Sequence, residues 1–215
     1  MNPTMTINNA APAVEQLVYI VDDDEALRDS LLWLLDSTGI KAQAFDSAEA
    51  FLSAWSTRMN GCLVLDIRMP GMSGLELQEK LAALHSTLPI IFITGHGDVP
   101  MAVSALKNGA VDFIEKPFND QDMVNLIHTA LAEDRKHHDS RLLEAEAQRR
   151  IDALTPRERE VLELIVAGRL NKQIADDLGI SIKTVEVHRA RVMEKMGVNS
   201  LAELVQHVMS VQKND

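Results

Sequence analysis

Short apolar runs alternate with longer segments of helical periodicity over about the first 130 residues of the chain. The runs rich in β-branched residues, which are predicted to be strands, are Leu17–Val21, Ile40–Phe45, Cys62–Leu65, Pro89–Thr94 and Val111–Glu115. The segments predicted to be helices are Glu25–Ser37, Ser47–Trp55, Gly74–Leu84, Pro100–Asn108 and a helix from Gln121 onwards. This alternation predicts an α/β domain in which helices cover both faces of a doubly wound, five-stranded parallel sheet.

Polar side chains follow the predicted strands at the points where the strands end. Asp22 and Asp23 follow the first strand, and Asp66 follows the third. Thr94 closes the fourth strand, and Lys116 follows the fifth. Ligands of doubly wound sheets bind beyond the carboxyl ends of the strands. If the strand order is 2-1-3-4-5, as in flavodoxin-like sheets, all five side chains converge on one edge.

The chain loses strand character after this region and is predicted to be helical to its end. The segment from Asp120 to about Ile151 is rich in Ala, Glu, Arg and Leu. Within it, Glu146 stands in helical register with Arg149 and Arg150. We therefore expect the last helix of the first domain to continue into a helical linker.

A small all-α domain of four helices is predicted after this linker. Its helices are expected from Pro156 to near Gly168, from Asn171 to Leu178, from Ser181 to about Met196 and from Leu201 to Met209. Thr155, Asn171 and Ser181 are predicted to cap the first three, and Glu158 completes a capping box with Thr155. A helix, a tight turn and a second helix are the arrangement of helix-turn-helix DNA readers.

Charge is unevenly distributed between the two predicted domains. The formal net charge is −11, which by itself argues against nucleic-acid binding. However, 12 basic and 23 acidic residues precede Leu154, whereas nine of each follow from Leu154 onwards. The acidity belongs to the first domain, and the second domain remains a candidate for DNA binding.

The N-terminal residues and the cysteine content predict a soluble protein of the cytoplasm. Residues 1–15 carry no basic segment and no long apolar stretch, so we expect a disordered arm rather than a signal peptide. No stretch predicts a membrane span. The single cysteine, Cys62, excludes an intramolecular disulfide and is predicted to be a buried apolar residue.

The adjacent carboxylates of Asp22, Asp23 and Asp24 would repel one another without a cation or a hydrogen-bond partner. Asp24 is predicted to cap the helix that begins near Glu25. Asp22, Asp23 and Asp66 together form a set of hard oxygen ligands, which suits Mg²⁺ or Mn²⁺. The sequence thus predicts a metal site at this edge of the sheet.

Asp66 lies between an apolar strand and the Pro/Gly-rich loop of LVLDIRMPGMSG. A carboxylate oxygen beside the metal can attack a phosphoryl donor, and the metal and Lys116 would share the charge of the resulting acyl phosphate. Thr94 supplies a hydroxyl within reach. These could simply be turn residues at strand ends, where Asp is common, but their joint occurrence at the right strand ends favours a phosphoryl-transfer site.

The predicted helix SIKTVEVHRARVMEKMG has one face towards the core and one towards solvent. The residues predicted to face the core are Val185, His188, Val192 and Met196, with His188 a packed histidine. The opposite face carries Lys183, Glu186, Val187, Ala190 and Arg191. Val187 would suit a thymine methyl group, and Arg191 a guanine or a phosphate. The predicted phosphate contacts are Lys183, Arg189 and Lys195.

The first 130 or so residues resemble the receiver domain of bacterial two-component response regulators, through YIVDDDE, LVLDIRMPGMSG, IIFITGHGD and FIEKPF. The resemblance implies that Asp66 is the phosphoacceptor and that Lys116 contacts the phosphoryl group. It also implies that Asp23, Asp66 and the backbone carbonyl of Arg68 ligate Mg²⁺, and that Asp22 assists through water.

The same resemblance implies a conformational switch. Thr94 and Phe113 would be its coupled pair, and the Lys116–Pro117 peptide bond is expected to be cis. Phe rather than Tyr occupies the aromatic position, so a contact that needs a hydroxyl is not expected there.

Residues 152 to about 211 strongly resemble the LuxR-type helix-turn-helix, through LTPREREVLELIVAG and the segment that follows it. The whole chain resembles a NarL/FixJ-type response regulator, and the GHGD and KPF segments favour the FixJ branch. The implied division is a disordered arm at 1–15, a receiver at 16–130, a helical linker at 131–151 and the DNA-binding domain at 152–215. The implied DNA-binding residues are Asn171, Lys172, Ser181, Lys183, Thr184, Glu186, Val187, Arg189, Ala190, Arg191 and Lys195.

The resemblance implies a transcription regulator that a sensor histidine kinase phosphorylates on Asp66. The phosphorylated protein is expected to bind double-stranded promoter DNA as a dimer, paired through the Pro100–Asn108 helix and the following strand. RNA polymerase is a further candidate partner. The only catalysis expected is that of the receiver's own phosphorylation and dephosphorylation.

Two other functions remain compatible with parts of the pattern. One is an aspartate-based Mg²⁺ phosphatase for small phosphoesters, although such enzymes usually have a second acid two residues after the nucleophile, where this chain has Arg68. The other is a phosphate-accepting interaction protein whose C-terminal helices dock proteins rather than DNA.

Overall fold

The computed structural model describes residues 16–95 and 99–212, apart from the side chains at positions 99, 100, 102 and 212. The predicted disordered arm at 1–15 and the last three residues of the GHGD motif lie outside the described residues. The chain divides into two compact units between His137 and His138. This division falls within the predicted linker.

The described part of the first unit contains a parallel sheet covered by helices. Its strands are β1 (Leu17–Val21), β2 (Ala42–Phe45), β3 (Gly61–Asp66), β4 (Ile90–Thr94) and β5 (Asp112–Glu115). Its helices are α1 (Glu25–Ser37), α2 (Ala48–Ala54), α3 (Gly74–Ala83), α4 (Val99–Lys107) and the first part of α5 (Asp120–Asp152). The five strands are parallel in the order β2-β1-β3-β4-β5, which confirms the predicted flavodoxin-like architecture.

The central strand β3 is apolar on both sides, so helices cover both faces of the sheet. Every residue of β3 is buried. Successive side chains of a strand point to opposite faces. Thus β3 contributes Leu65 to a cluster with Phe51 of α2, and Val64 to a second cluster with Ile127 of α5. The last residue of the strand, Asp66, reaches the carboxyl edge of the sheet.

Several predicted element ends differ from the structure by one or two residues. The prediction for α1 is correct at both ends. The strand β2 begins at Ala42 rather than at Ile40, because the Ile40 amide donates a hydrogen bond to the Leu35 carbonyl at the end of α1 (2.9 Å). Ser47 precedes α2 as its cap, and its hydroxyl accepts a hydrogen bond from the Ala50 amide.

The helix α5 is continuous from Asp120 to Asp152, which confirms the predicted helical linker. Near its end, Glu146 forms an ion pair with Arg150. In the first unit, Asp134 of α5 is buried. Its Oδ2 accepts hydrogen bonds from Gln16 Nε2 (2.7 Å) and the Gly61 amide (2.9 Å). No helix in the described ranges is long and apolar enough to span a bilayer.

The free thiol of Cys62 is buried in the sheet, as predicted. Burial, assisted by the negative charge of Asp134, raises the pKa of this thiol to about 12. Because a thiol reacts as the thiolate, Cys62 is a packing residue at neutral pH.

The described part of the second unit consists of the end of α5 and four further helices. These are α6 (Pro156–Val166), α7 (Asn171–Leu178), α8 (Ile182–Met196) and α9 (Leu201–Gln212). Their apolar faces form one core cluster, which includes Val161, Ile174, Val185 and Leu204. The prediction of a small helical domain is confirmed.

Two of the three predicted caps in this unit are correct. Thr155 and Glu158 form a capping box at α6, and the Ser181 hydroxyl accepts a hydrogen bond from the Thr184 amide at α8. The prediction of Asn171 as the cap of α7 is wrong. Leu170 occupies the cap position there, and its amide donates to Gln173 Oε1 (2.9 Å), so Asn171 is the first helical residue.

A buried carboxylate connects α6 with the end of α8. Glu158 is 3% exposed, and its Oε2 accepts hydrogen bonds from Lys195 Nζ (2.6 Å) and from the Thr155 amide (2.9 Å). The hydrogen bond from Lys195, followed by that from Thr155, lowers the pKa of Glu158 from 4.5 to about 2. The ionised form therefore stabilises the second unit.

We expect Glu158→Gln to lower the free energy of unfolding of the second unit by about 1–2 kcal/mol at neutral pH, after allowance for the partly exposed Lys195. A carboxyl whose pKa is lowered in the folded state stabilises the fold fully above about pH 4.5, its ordinary pKa. This contribution falls as the pH drops towards about 2, the pKa in the folded state. Urea unfolding of the wild type and of Glu158→Gln should show that the difference in their free energies of unfolding shrinks between pH 7 and pH 3. Glu160→Gln, which removes an exposed partner of Arg157 on the same helix, is the matched control. Equal losses in the two variants would contradict the prediction.

Candidate functional site

The three carboxylates that follow β1 have three different surroundings. Asp22 is buried, and its Oδ1 accepts a hydrogen bond from the Asp24 amide (2.8 Å). Asp23 is exposed. The Asp24 carboxylate caps α1 by accepting hydrogen bonds from the amides of Ala26 and Leu27, which confirms its predicted role. Separate partners thus offset part of the repulsion that the sequence implies.

Lys116 connects the ends of β1 and β3. Its Nζ donates hydrogen bonds to Asp22 Oδ2 and Asp66 Oδ1, each at 2.9 Å. The other carboxylate oxygen of Asp66, Oδ2, accepts from the Arg68 amide at 2.9 Å. The structure therefore brings together residues from the ends of β1, β3 and β5, as the strand order predicts.

Asp66 and Lys116, which form an ion pair at this edge, influence each other's pKa values. Burial raises the pKa of the Asp66 carboxyl above its usual value, whereas the hydrogen bond from Lys116 opposes this shift. Burial would lower the pKa of Lys116, but the hydrogen bonds to Asp66 and Asp22 outweigh it, and the pKa is raised above 10.5. Lys116 is therefore a cation at neutral pH. A poorly solvated carboxylate facing a fixed ammonium is suited to act as an oxygen nucleophile on a phosphoryl group.

Three residues that shape this site were not predicted from the sequence. Arg28 on α1 donates a hydrogen bond from Nη1 to the Asp22 carbonyl (2.8 Å). Glu49 on α2 accepts a hydrogen bond from the backbone of the loop after β3 (3.0 Å). A Cβ on Gly74 would lie 2.2 Å from the Asp66 carbonyl oxygen, so α3 begins this close to β3 only with glycine. The sequence could have indicated Arg28, because it lies in the first turn of the helix that follows the aspartates. No nearby motif in the sequence indicates that Glu49 belongs to the site.

The predicted switch residues lie on the neighbouring strands β4 and β5. Thr94 is buried, and its hydroxyl donates a hydrogen bond to the Gly95 carbonyl (3.2 Å). Phe113 is partly buried, opposite Phe92 in the strand register. The Lys116–Pro117 peptide bond is cis, as predicted.

The helices α7 and α8, joined at Gly179, form a helix-turn-helix with a buried and an exposed face. Val185, Val192 and Met196 of α8 are buried, and His188 is partly buried. On the other face Val187 is 46% exposed. The other residues predicted for this face are also exposed: Lys183, Glu186, Ala190 and Arg191. The predicted division of α8 into two faces is therefore confirmed.

Two family models match the chain. The response regulator receiver domain matches residues 18–128, which is half of the chain. The luxR family of bacterial regulatory proteins matches residues 152–208. This protein belongs to the response regulators. The family assignment agrees with the resemblance that the sequence motifs indicate.

Several known proteins are similar to this chain over most of their length. The transcriptional regulatory protein FixJ of Bradyrhizobium diazoefficiens is 48% identical over 192 residues, covering 89% of this chain and 94% of FixJ. The solved structure of the response regulator StyR is 45% identical with a TM-score of 0.80, covering 91% of this chain and 98% of StyR. Full-length FixJ from B. japonicum is 46% identical with a TM-score of 0.56, covering 93% and 98% of the two chains.

The domain content of this response regulator determines its general function. A receiver followed by a LuxR-type DNA-binding domain makes it a phosphorylation-activated transcription regulator of the FixJ type. The receiver implies a histidine kinase as a partner, and the helix-turn-helix implies DNA. The protein is thus a regulator rather than an enzyme that turns over a separate substrate.

Receiver domains generally bind Mg²⁺, and the residues at this edge fit that ion. No three acidic, histidine or cysteine side chains in residues 16–95 and 99–212 are already arranged around one ion position. Mg²⁺ does not need such a cage, because it is usually held by one or two carboxylates together with water and phosphate oxygens. Asp22 and Asp66 accept hydrogen bonds from the same ammonium, and Asp23, which follows Asp22 in the chain, is exposed. The donors present are therefore sufficient in number and of the right chemical kind.

Proposed function

We propose that Asp66 of this response regulator accepts a phosphoryl group from a sensor histidine kinase. The pair of 2.9 Å hydrogen bonds from Lys116 to Asp22 and Asp66 carries this proposal, because it sets a fixed cation beside a buried carboxylate at the carboxyl edge of the sheet. An Asp66 oxygen attacks phosphorus, and the bond from phosphorus to the kinase histidine nitrogen breaks with its electron pair left on nitrogen. The product is an acyl phosphate on Asp66.

The remaining acidic residues and Lys116 handle the charge of this group. We assign Mg²⁺, or Mn²⁺, to Asp23, Asp66 and the Arg68 carbonyl, with Asp22 acting through water. When bound, the metal neutralises charge on the phosphoryl oxygens. Asp22 holds Lys116 in place, and Lys116 pairs with the phosphoryl group after transfer. The same groups support a further proposal, that the receiver catalyses its own phosphorylation by small donors and its own dephosphorylation.

Phosphorylation acts through Thr94 and Phe113 in this proposal. The Thr94 hydroxyl leaves the Gly95 carbonyl for the phosphoryl group, and Phe113 rearranges with it. Such a switch shifts a pre-existing equilibrium, so the phosphoryl group must interact more strongly with the active state. The active state dimerises through α4 and β5. Unchanged gel-filtration elution with the phosphoryl analogue beryllofluoride would contradict this step.

We propose that α8 reads the major groove of promoter DNA with its exposed face. Val187 contacts a thymine methyl group, and Arg191 contacts a guanine or a phosphate. The remaining contacts are proposed for Asn171, Lys172, Ser181, Lys183, Thr184, Glu186, Arg189 and Ala190. Lys195, predicted as a phosphate contact, has its Nζ bound to Glu158 and to the Ala153 carbonyl, and we leave it out of the DNA-contacting set. A cytoplasmic location follows from access to the chromosome, where RNA polymerase is a further proposed partner.

Arg191→Ala should weaken DNA binding about tenfold or more, because a groove contact is lost. The DNA for this test is a duplex that the wild-type protein selects from a randomised library. Arg159→Ala is the matched control, since Arg159 is an exposed arginine of the same unit on α6. Fluorescence anisotropy on both variants, after phosphorylation with a small acyl phosphate and Mg²⁺, measures the difference. Equal affinities of the two variants would contradict a DNA contact by Arg191, and failure of the wild type to select any duplex would contradict DNA binding itself.

A further inference from the structure

The end of α5 contacts the end of α8 through one arginine. Arg150 lies in the last turn of α5, and its Nη1 donates a hydrogen bond to the Met196 carbonyl (2.6 Å), the last residue of α8. Its Nη2 donates to Glu146, one turn earlier on α5. The guanidinium is thus oriented by its own helix and bound to the neighbouring one.

The end of α8 is a place where a cation stabilises a helix. The last carbonyls of a helix have no partner within it, and the negative end of the helix dipole lies there. The amides of Gly197 and Val198 bond to earlier carbonyls of α8, those of Glu194 and Met193. Arg150 supplies both a donor and a positive charge to the Met196 carbonyl.

Gly197 leaves room for this contact. A Cβ built on Gly197 would lie 2.6 Å from Arg150 Nη1, so a side chain at this position would displace the guanidinium. The backbone there has a φ of +64°, which also favours glycine. The glycine that ends α8 therefore admits the arginine of α5.

A second contact holds the same end of α8. Lys195 Nζ donates to the Ala153 carbonyl (3.3 Å) and to Glu158 (2.6 Å), at the junction between α5 and α6. The end of α8 is therefore attached near the α5–α6 junction through two adjacent residues, Lys195 and Met196. The exposed face of α8 is oriented by these attachments, because a helix held at one end cannot rotate freely about its axis.

We propose that Arg150 is a positioning residue for DNA recognition, which orients α8 by holding its C-terminal end against α5. The proposal rests on the proposed role of α8 in reading DNA. It extends the DNA-reading unit beyond the luxR-type segment, which begins at residue 152, into the helix before it. Arg150 itself touches no DNA in this proposal.

The test uses three full-length variants and the duplex selected by the wild-type protein. Arg150→Met removes the guanidinium but keeps an aliphatic stem, and Arg150→Lys keeps one donor and the charge. Arg149→Met is the matched control, because the neighbouring Arg149 donates only within α5, to the Ala145 carbonyl, among the hydrogen bonds described. Affinity is measured for the selected duplex and for an unrelated duplex, each across a salt series.

We expect Arg150→Met to weaken binding to the selected duplex on the order of tenfold, and Arg150→Lys to give a smaller loss of roughly threefold. Binding to the unrelated duplex and the salt dependence should match the control, because no phosphate contact is removed. Phosphoryl transfer to Asp66 should be unchanged.

Equal affinities of Arg150→Met and Arg149→Met for the selected duplex would overturn the proposal. So would a reduced salt dependence in Arg150→Met, since Arg150 would then be a phosphate contact. If circular dichroism shows that Arg150→Met does not fold, Arg150→Lys decides, and wild-type affinity in that variant would overturn the proposal. Failure of the wild type to select a duplex would instead refute DNA reading by α8, on which the proposal rests.

Discussion

Asp66→Asn should show no phosphoryl adduct in intact mass spectrometry after incubation with Mg²⁺ and a small acyl phosphate, whereas we expect the wild-type protein to gain roughly 80 Da. The amide has no anionic oxygen with which to attack phosphorus. Among the described residues, it also leaves Lys116 with Asp22 as its remaining carboxylate partner. The variant should show no phosphorylation-dependent dimer and no phosphorylation-dependent gain in DNA affinity.

Asp24→Asn is the matched control for this experiment. Asp24 belongs to the same run of acidic residues, but its carboxylate caps α1. Asn is about as good a cap as Asp, so the fold and the adduct should both persist. An adduct of equal amount on Asp66→Asn would place the phosphoryl group on another residue. Omission of Mg²⁺ should suppress the adduct on the wild type, and an undiminished adduct would contradict the metal assignment.

Gly61→Ala should destabilise the receiver by about 3–5 kcal/mol. Gly61 begins β3 with a φ of +124°, and a Cβ there would lie 1.8 Å from the Leu17 carbonyl oxygen on β1. That oxygen belongs to the backbone of β1, which is paired with β2 on one side and β3 on the other and cannot move aside without disturbing the sheet. Urea unfolding, or a melting temperature measured by circular dichroism, should show the loss.

Gly39→Ala separates the clash from the backbone preference. Gly39 also has a positive φ, of +74°, but, its two chain neighbours aside, no described residue has a heavy atom within 4 Å of a Cβ built on it. Its substitution should therefore cost only the conformational penalty, about 1 kcal/mol. Similar losses in the two variants would show that the close approach to Leu17 does not determine the stability at Gly61.

Patterns that depend on neighbouring residues could be predicted from the sequence. The strands were found because a parallel sheet buried on both faces needs continuous apolar runs, and the caps at Asp24, Thr155 and Ser181 because a capping side chain acts within three residues. The exception was α7, where Gln173 acts from the third helical position and Asn171 only resembled a cap. Local signals are sufficient where the partners are local.

Contacts between distant parts of the chain were not predictable in the same way. Asp134 on α5 accepts a hydrogen bond from the amide of Gly61, 73 residues earlier. Lys195 has the charge and position of a phosphate contact, yet it binds Glu158. Each of these contacts depends on which helices and strands pack side by side. The charge of a residue does not by itself identify the oppositely charged residue that it contacts.

The order of the elements, the family and the residues at the carboxyl edge of the sheet could all be inferred from the sequence, because each depends on apolar runs and motif spacing along the chain. The tertiary structure established which aspartates pair with Lys116, since Asp22 and Asp66 accept its hydrogen bonds whereas Asp23 is exposed. It also decided that Arg150 meets the end of α8. Hydrogen bonds and ion pairs act over a few ångströms, and only the folded backbone brings their partners within that distance.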